Sequence, residues 1–149
     1  MSGARETTQE DGHIMVLLIG YVLLSLLLMT VVAAGSSLYL GHKKLLSTAD
    51  GAALAAADTF VLNAGNHGPD PGTLLTGQGV TAAALAYLES NESPKSLSDV
   101  RLAAGTGTPD GRTAQVNLTG TVHPWFINIL VPDGIAMTVT GTARAHLVL

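Results

Sequence analysis

Residues 14–34 have the sequence IMVLLIGYVLLSLLLMTVVAA, which contains 21 consecutive positions without a charged side chain. As an α-helix rising about 1.5 Å per residue, this stretch covers roughly the 30 Å thickness of bilayer hydrocarbon. A lone helix satisfies its own backbone hydrogen bonds there. The alternative is a cleaved signal peptide ending near Ala34, but signal-peptide apolar regions reach only about 15 residues. The length therefore favours an uncleaved transmembrane anchor.

We expect the surface of this span to serve both membrane insertion and assembly with other helices. Its predicted contact residues are Ile14, Leu18, Gly20, Leu24, Leu28 and Val32.

Composition restricts what the rest of the chain can build. The protein has 149 residues, of which 47% are hydrophobic but only 4% aromatic and 12% charged. About a hundred residues lie beyond the span and its flanks, enough for one small domain with a thin core. The absence of cysteine excludes disulfides, thiolate catalysis and cysteine-based metal sites. The net charge of −4 argues against a nucleic-acid partner, which requires a basic surface.

Periodicity divides the chain into three parts. Residues 1–12 are polar and are predicted to form a disordered tail. Residues 13–62 contain no proline and many helix formers, so we predict one long helix that includes the span. The stretch NAGNHGPDPG at 63–72 ends it. Residues 63–149 are predicted to form a small α+β domain.

Within this domain the patterns predict one short helix and about three antiparallel strands. Apolar residues recur at helical spacing from about Gln78 to Asn91. Strands are predicted from Asp99 to Ala104, from Thr113 to Val122, and from Ile135 onward, because apolar and polar residues alternate there. In the first strand Val100, Leu102 and Ala104 are predicted to lie on one face and Arg101 on the other. The connection at 123–134 is predicted to place a helical turn or two across the sheet.

Residues that could act in catalysis or metal binding are scattered along the sequence. The five histidines, at positions 13, 42, 67, 123 and 146, show no metal-ligand spacing, and no serine lies in a nucleophile elbow. We therefore predict no catalytic residue, cofactor or metal site. A membrane-anchored hydrolase would need a site assembled from His67, Asp70 and His123, and it is the least favoured interpretation.

The most distinctive stretch beyond the span is LSTADGAALAAADTF at 46–60, which presents small residues on one helical surface. Small residues allow another helix to approach closely. Alternatively, alanine is the best helix former and simply stiffens the helix. The predicted helix-packing motif consists of Ala49, Asp50, Ala52, Ala53, Ala56 and Ala57, and a packing role would favour assembly with like partners.

These features together resemble the TadE/TadG family of Flp (Tad) pilus-assembly proteins. The stretch KKLLSTADGAALAAA at 43–57 is similar to the family's LQ-x-AADAAALAAA motif. The C-terminal segments TGTVHPWFINIL at 119–130 and AMTVTGTARA at 136–145 are also typical of the family. The resemblance extends over residues 12–62 and 113–146.

The resemblance implies a long pilin-like N-terminal helix and a non-enzymatic subunit or minor pilin of a Tad/Flp-type pilus or secretion apparatus. Implied partners are the bilayer and other Tad pilus-assembly proteins or pilins, through helix packing; a homo-oligomer is also open. Precursors cleaved by the prepilin peptidase carry a Glu five residues after the Gly at the cleavage point. Here Leu17 stands five residues after Gly12, which argues against cleavage and against a place in the pilus shaft.

Two questions of placement stay open. The positive-inside rule alone would put the C-terminal side in the cytoplasm, because Lys43 and Lys44 outnumber Arg5. The resemblance implies the opposite: the bacterial cytoplasmic membrane, with the N-terminus inside and the domain outside. The alternative function is a membrane-tethered extracytoplasmic binding module for a ligand or envelope polymer, with an apolar groove around Trp125 and Phe126.

Overall fold

The computed structural model describes residues 7–62, 73–92, 95–124 and 132–144. Its architecture is α+β, as predicted: a long apolar helix, a short helix and a three-stranded antiparallel sheet. In chain order the elements are α1 (Thr7–Ala57), β1 (Val61–Leu62), β2 (Thr73–Leu74), α2 (Gly77–Ser90), β3 (Leu97–Leu102), β4 (Thr113–Val122) and β5 (Ile135–Arg144).

Helix α1 is continuous over 51 residues. With a rise of about 1.5 Å per residue, its length is about 75 Å. It begins at Thr7, inside the stretch predicted to be a tail, and ends at Ala57 rather than near Asn63. At its end, the backbone N–H and the hydroxyl of Thr59 both donate to the Ala56 carbonyl, at 3.2 and 2.7 Å. In a longer helix the Ala56 carbonyl would instead accept a hydrogen bond from the residue four positions later, so these bonds end α1. The chain then continues as β1.

Helix α2 returns along α1 toward the span. Its first turn is capped by Thr76, whose hydroxyl accepts a hydrogen bond of 3.1 Å from the Gly79 N–H. Gly79 lies beside Thr59, and Tyr87, near the other end of α2, lies beside Gly51 of α1. The two helices are therefore antiparallel.

The three-stranded sheet has the order β3-β4-β5, and β1 and β2 form a separate two-stranded pair. The β4–β5 register runs without interruption from Thr113–Arg144 to Val122–Ile135. Alternate residues of β4 point into the core, as the sequence pattern predicted. The buried members are Ala114, Val116, Leu118, Gly120 and Val122.

Strand β3 differs from its predicted bounds, since it begins at Leu97 and ends at Leu102. A bulge lies between Ser98 and Arg101, where Asp99 has a φ of +53°. The extra residue shifts the alternation, so that Leu97 is buried and Val100, an odd number of positions later, also packs against the core. Ala104, predicted to share a strand face with Val100 and Leu102, lies beyond the end of the strand and is exposed.

Candidate functional site

The Ala-rich half of α1 is covered by the rest of the same chain. We call α2 and the three-stranded sheet the head, and residues 41–57 of α1 the seat. The seat packs against β4, β5 and α2. The seat alanines at 49, 52, 53 and 56 have no exposed surface, Ala57 is 3% exposed, and Asp50 points to solvent. The surface predicted to receive a partner helix is thus occupied by the chain's own sheet and second helix.

Two glycines of the sheet bring the helix unusually close. A Cβ atom added to Gly141 of β5 would overlap the carbonyl group of Ala49 and lie 2.7 Å from the backbone N of Asp50. A Cβ added to Gly120 of β4 would lie 3.0 Å from a methyl group of Leu45. The helix backbone therefore lies directly on β5, and glycine is the residue that leaves room for it.

The helix contributes glycines of its own. A Cβ added to Gly41 would lie 2.6 Å from a methyl group of Val122, and one added to Gly51 would lie 2.8 Å from Cζ of Tyr87. Glycine weakens a helix by about 1 kcal/mol relative to alanine. At these two positions the close approach of β4 and α2 accounts for its presence in the seat.

Sequence reasoning missed the role of Gly120 and Gly141, although a signal was present. Both occupy inward positions of cleanly alternating strands, where a larger apolar residue would normally stand. A glycine inside a strand often marks a site where another backbone approaches. The pattern could have identified the two strands that carry α1.

The predicted span residues all lie on α1 and contact no other described part of the chain closely. Gly20 is exposed, and a Cβ added there would meet nothing within 4 Å. Side-chain exposure is 60–65% for Ile14, Leu18, Leu24, Leu28 and Val32. Within the described residues, α1 is the one helix long and apolar enough to cross a membrane. So large an exposed apolar surface requires an apolar surrounding.

The residues weighed for a hydrolytic site are not brought together by the described structure. His123 lies at the end of β4, where its Nε2 is 2.8 Å from Oγ of Ser98 on β3. Both His67 and Asp70 lie outside the described residues. In the described ranges no three His, Asp or Glu side chains are grouped to hold a metal ion. The groove predicted around Trp125 and Phe126 also lies outside the described residues and stays a prediction.

The turn between β3 and β4, at the end of the head far from the span, is organised by Asp110. Its carboxylate accepts hydrogen bonds from the backbone N–H groups of Arg112 and Thr113, at 2.9 and 2.6 Å, and from the Thr113 hydroxyl at 2.8 Å. The bond from Arg112, followed by those from Thr113, lowers the pKa of Asp110 below its ordinary value. This carboxylate has a local structural role.

The fold and its seat define a class of protein: one candidate membrane-spanning helix continues past its apolar run and carries a small α+β head directly on its distal half. Residues 12–59 match the family model described as "Putative Flp pilus-assembly TadE/G-like". The matched segment contains the apolar run and the whole seat, and over these residues, about a third of the chain, the resemblance is confirmed. No curated protein and no solved structure matches the chain significantly. The family match supports a role in pilus assembly.

Proposed function

We propose that this protein is a non-enzymatic, membrane-anchored subunit, of the minor-pilin kind, in a Tad/Flp-type pilus or the related secretion apparatus. Residues 14–34 hold it in the bacterial cytoplasmic membrane, with the N-terminus inside and the head outside. The observation that carries the proposal is the family match over residues 12–59, because this one segment contains both the apolar run and the seat.

The continuity of α1 suggests how such a subunit works. The helix passes from the apolar run into the seat without a break, so the head keeps a fixed orientation relative to the span. A partner that binds either part would thereby position the other. This arrangement suits a subunit that links components in the membrane to components beyond it.

The burial of the seat alanines restricts where other pilus proteins can bind. Helix packing with them is proposed to use the exposed span surface, including Leu18 and Gly20, and to continue along the side of α1 opposite the head. That side carries Leu40 and Leu54, whose side chains are 58% and 62% exposed. Two copies of this chain could pack through the same surface.

Co-purification and complementation test the proposal. A tagged full-length copy should recover other pilus-assembly proteins from membranes, and deletion of the gene should reduce piliation until the wild-type copy is restored. Gly20→Ile, which adds bulk to the span surface, should reduce recovery, whereas Thr48→Ser in the seat serves as a mild control. Recovery of no pilus component, together with unchanged piliation in the deletion strain, would show the proposal to be wrong.

Single-cysteine labelling tests the proposed orientation, since the natural chain contains no cysteine to interfere. Asp58→Cys places a thiol at an exposed position just beyond the seat, and Ser2→Cys places one before the span. A membrane-impermeant maleimide applied to intact spheroplasts should label the first and not the second. Labelling of only the second would establish the reverse orientation, which the charge count favours.

A further inference from the structure

One end of the head lies close to the point where α1 leaves its apolar run. Strand β4 ends at Val122, which packs against Gly41. Gly41 follows Ala34, the last residue of the apolar run, by seven positions, or about 10 Å along the helix. The polar layer of a bilayer extends about 5–8 Å beyond the hydrocarbon on each side. The end of the head formed by the start of β3 and the end of β4, here called the near end, therefore stands at the surface of the headgroup layer.

Every lysine of the chain lies at this near end. Lys43 and Lys44 are on α1, just past Gly41, and Lys95 precedes β3. Folding brings Lys95 to the others, because its neighbour Ser96 accepts a hydrogen bond of 3.2 Å from Nζ of Lys44. All three lysines are exposed. Ammonium groups from two distant segments of the chain thus share one surface.

In the described part of the chain, the contacts of these lysines are with uncharged groups. Nζ of Lys44 donates to the hydroxyl of Ser96, and Nζ of Lys43 lies 5.7 Å from the ring centroid of Tyr39. Two exposed histidines, His42 and His123, lie at the same end.

The described carboxylates on or beside the near end are Glu92, Asp99 and Asp133, all exposed. The seven bases and eleven acids give the whole chain a charge of −4. With three lysines and three carboxylates the near end is formally neutral, so the rest of the chain, with four arginines and eight acids, carries the whole charge of −4. Because the near end stands against the headgroup layer, lipid headgroups are the groups nearest to its lysines.

We propose that the near end of the head binds anionic phospholipid headgroups through Lys43, Lys44 and Lys95. The proposal rests on the proposed membrane anchoring, but it depends neither on the pilus role nor on the orientation, since anionic lipid presents the same chemistry in either leaflet. Lysine stems are long enough to extend toward the bilayer while their ammonium groups stay hydrated. A lysine in contact with an anionic membrane surface strengthens binding to that surface about fivefold. A lysine one Debye length from the surface strengthens it about twofold. Each exposed lysine thus adds a factor of between about two and five to the preference for anionic over zwitterionic lipid, and the three carboxylates of the near end reduce the total.

The test uses full-length protein reconstituted into two kinds of vesicle, one of phosphatidylcholine alone and one that also contains phosphatidylglycerol as its minor lipid. A gadolinium-labelled lipid serves as the headgroup probe. Paramagnetic relaxation should be strong at the amides of Ser96 and Gly134 and weak at Gly107 and Thr113, because the length of β4 separates the two ends. For a strand of this length the separation is roughly 30 Å. Native mass spectrometry should find phosphatidylglycerol retained over phosphatidylcholine, and high salt should reduce this preference.

Two double variants distinguish the effect of lysines at the near end from the effect of the total charge of the protein. Lys43→Gln with Lys95→Gln removes two exposed charges from the near end and should lower the phosphatidylglycerol preference about fourfold. Arg101→Gln with Arg144→Gln removes two exposed charges from β3 and β5, farther from the bilayer, and should change it by less than about twofold. Equal retention of the two lipids by the wild type, or an equal loss in both double variants, would overturn the proposal. Flotation of each variant with vesicles in high salt reports on the span itself, so a failure of anchoring would be recognised separately.

Discussion

Replacing Gly141 by alanine should weaken the packing of the head on α1, whereas the same change at Gly120 should be tolerated. Both glycines are buried, both lie within the regularly paired part of β4 and β5, and both face the seat. They differ in what a new methyl group would meet. At Gly141 it meets the helix backbone around Ala49 and Asp50, and at Gly120 it meets the end of the Leu45 side chain.

The magnitudes follow from these neighbours. The methyl group at position 141 would lie 2.7 Å from the Asp50 nitrogen. To restore ordinary contact with this nitrogen α1 must move outward by at least about 0.7 Å, because the Ala49 carbonyl lies closer still. A gap of that size removes a quarter to a half of the attraction across the alanine interface. Overpacking of this kind destabilises by about 1–3 kcal/mol, and because backbone cannot rotate away we expect about 2 kcal/mol or more.

At Gly120 the methyl group would lie 3.0 Å from Leu45 and 3.4 Å from Val100, and both side chains can adjust by a few tenths of an ångström. Alanine also reduces the conformational freedom of the unfolded chain, which stabilises by about 0.4–1 kcal/mol. The two effects oppose each other, so the net change should stay within about 1 kcal/mol.

Amide hydrogen exchange of the full-length protein in micelles measures the difference. In Gly141→Ala the amides of β4 should exchange about thirtyfold faster, corresponding to about 2 kcal/mol. In Gly120→Ala the change should be less than about fivefold. Exchange in the apolar run of α1 serves as an internal control and should be the same in both variants. If Gly141→Ala protects β4 as well as Gly120→Ala does, the helix does not lie on β5 as described.

Three further predictions concern the seat, the cap of α2 and the distal turn. Ala53→Leu should destabilise the head by about 1–3 kcal/mol in the same exchange assay, because a fully buried position leaves no room for the larger side chain. Leu54→Ala, at the exposed position next to it, should have little effect. Thr76→Ala removes the acceptor for the first turn of α2. This change should lower the stability of the head by about 1 kcal/mol, measured as a lower thermal midpoint, whereas Thr76→Asn should restore most of it. Because the pKa of Asp110 is lowered in the folded state, its contribution to stability is present above the ordinary carboxyl pKa of about 3.9 and is lost as pH falls through the folded value. In Asp110→Asn this part of the acid sensitivity should be missing from midpoints measured across that range, and an unchanged pH profile would contradict the assignment.

The sequence alone was sufficient to predict those elements whose pattern is contained in a short stretch of the chain. The apolar run at 14–34 has the length of a bilayer and no charge. The alternation in β4 predicted both of its bounds, Thr113 and Val122. The two ends of helix α2 were each predicted to within one residue. Its apolar residues recur at helical spacing, and residues that break a helix stand close to both ends.

The predictions were less accurate where a residue's environment comes from a distant part of the chain. The bulge at Asp99 allows Leu97 and Val100 to point the same way, which no regular alternation predicts. The end of α1 at Ala57 was missed for a local reason, because Thr59 competes for the Ala56 carbonyl where no glycine or proline marks the stop. The close contact of Gly141 with Ala49 joins residues more than ninety positions apart.

The Ala-rich stretch shows most clearly which features the sequence determined and which the tertiary structure determined. Its sequence established a helix with one small-residue surface, because alanine favours helix and leaves space beside it. Small residues permit close packing without specifying the neighbour, so the sequence left open whether a partner covers this surface or whether the alanines simply stiffen the helix. Only the tertiary structure decided this, because the complementary glycines at 120 and 141 lie far along the chain and meet the helix only when β4 and β5 are paired. The same folding step gathered Lys43, Lys44 and Lys95 at one end of the head, a surface that no local pattern contains.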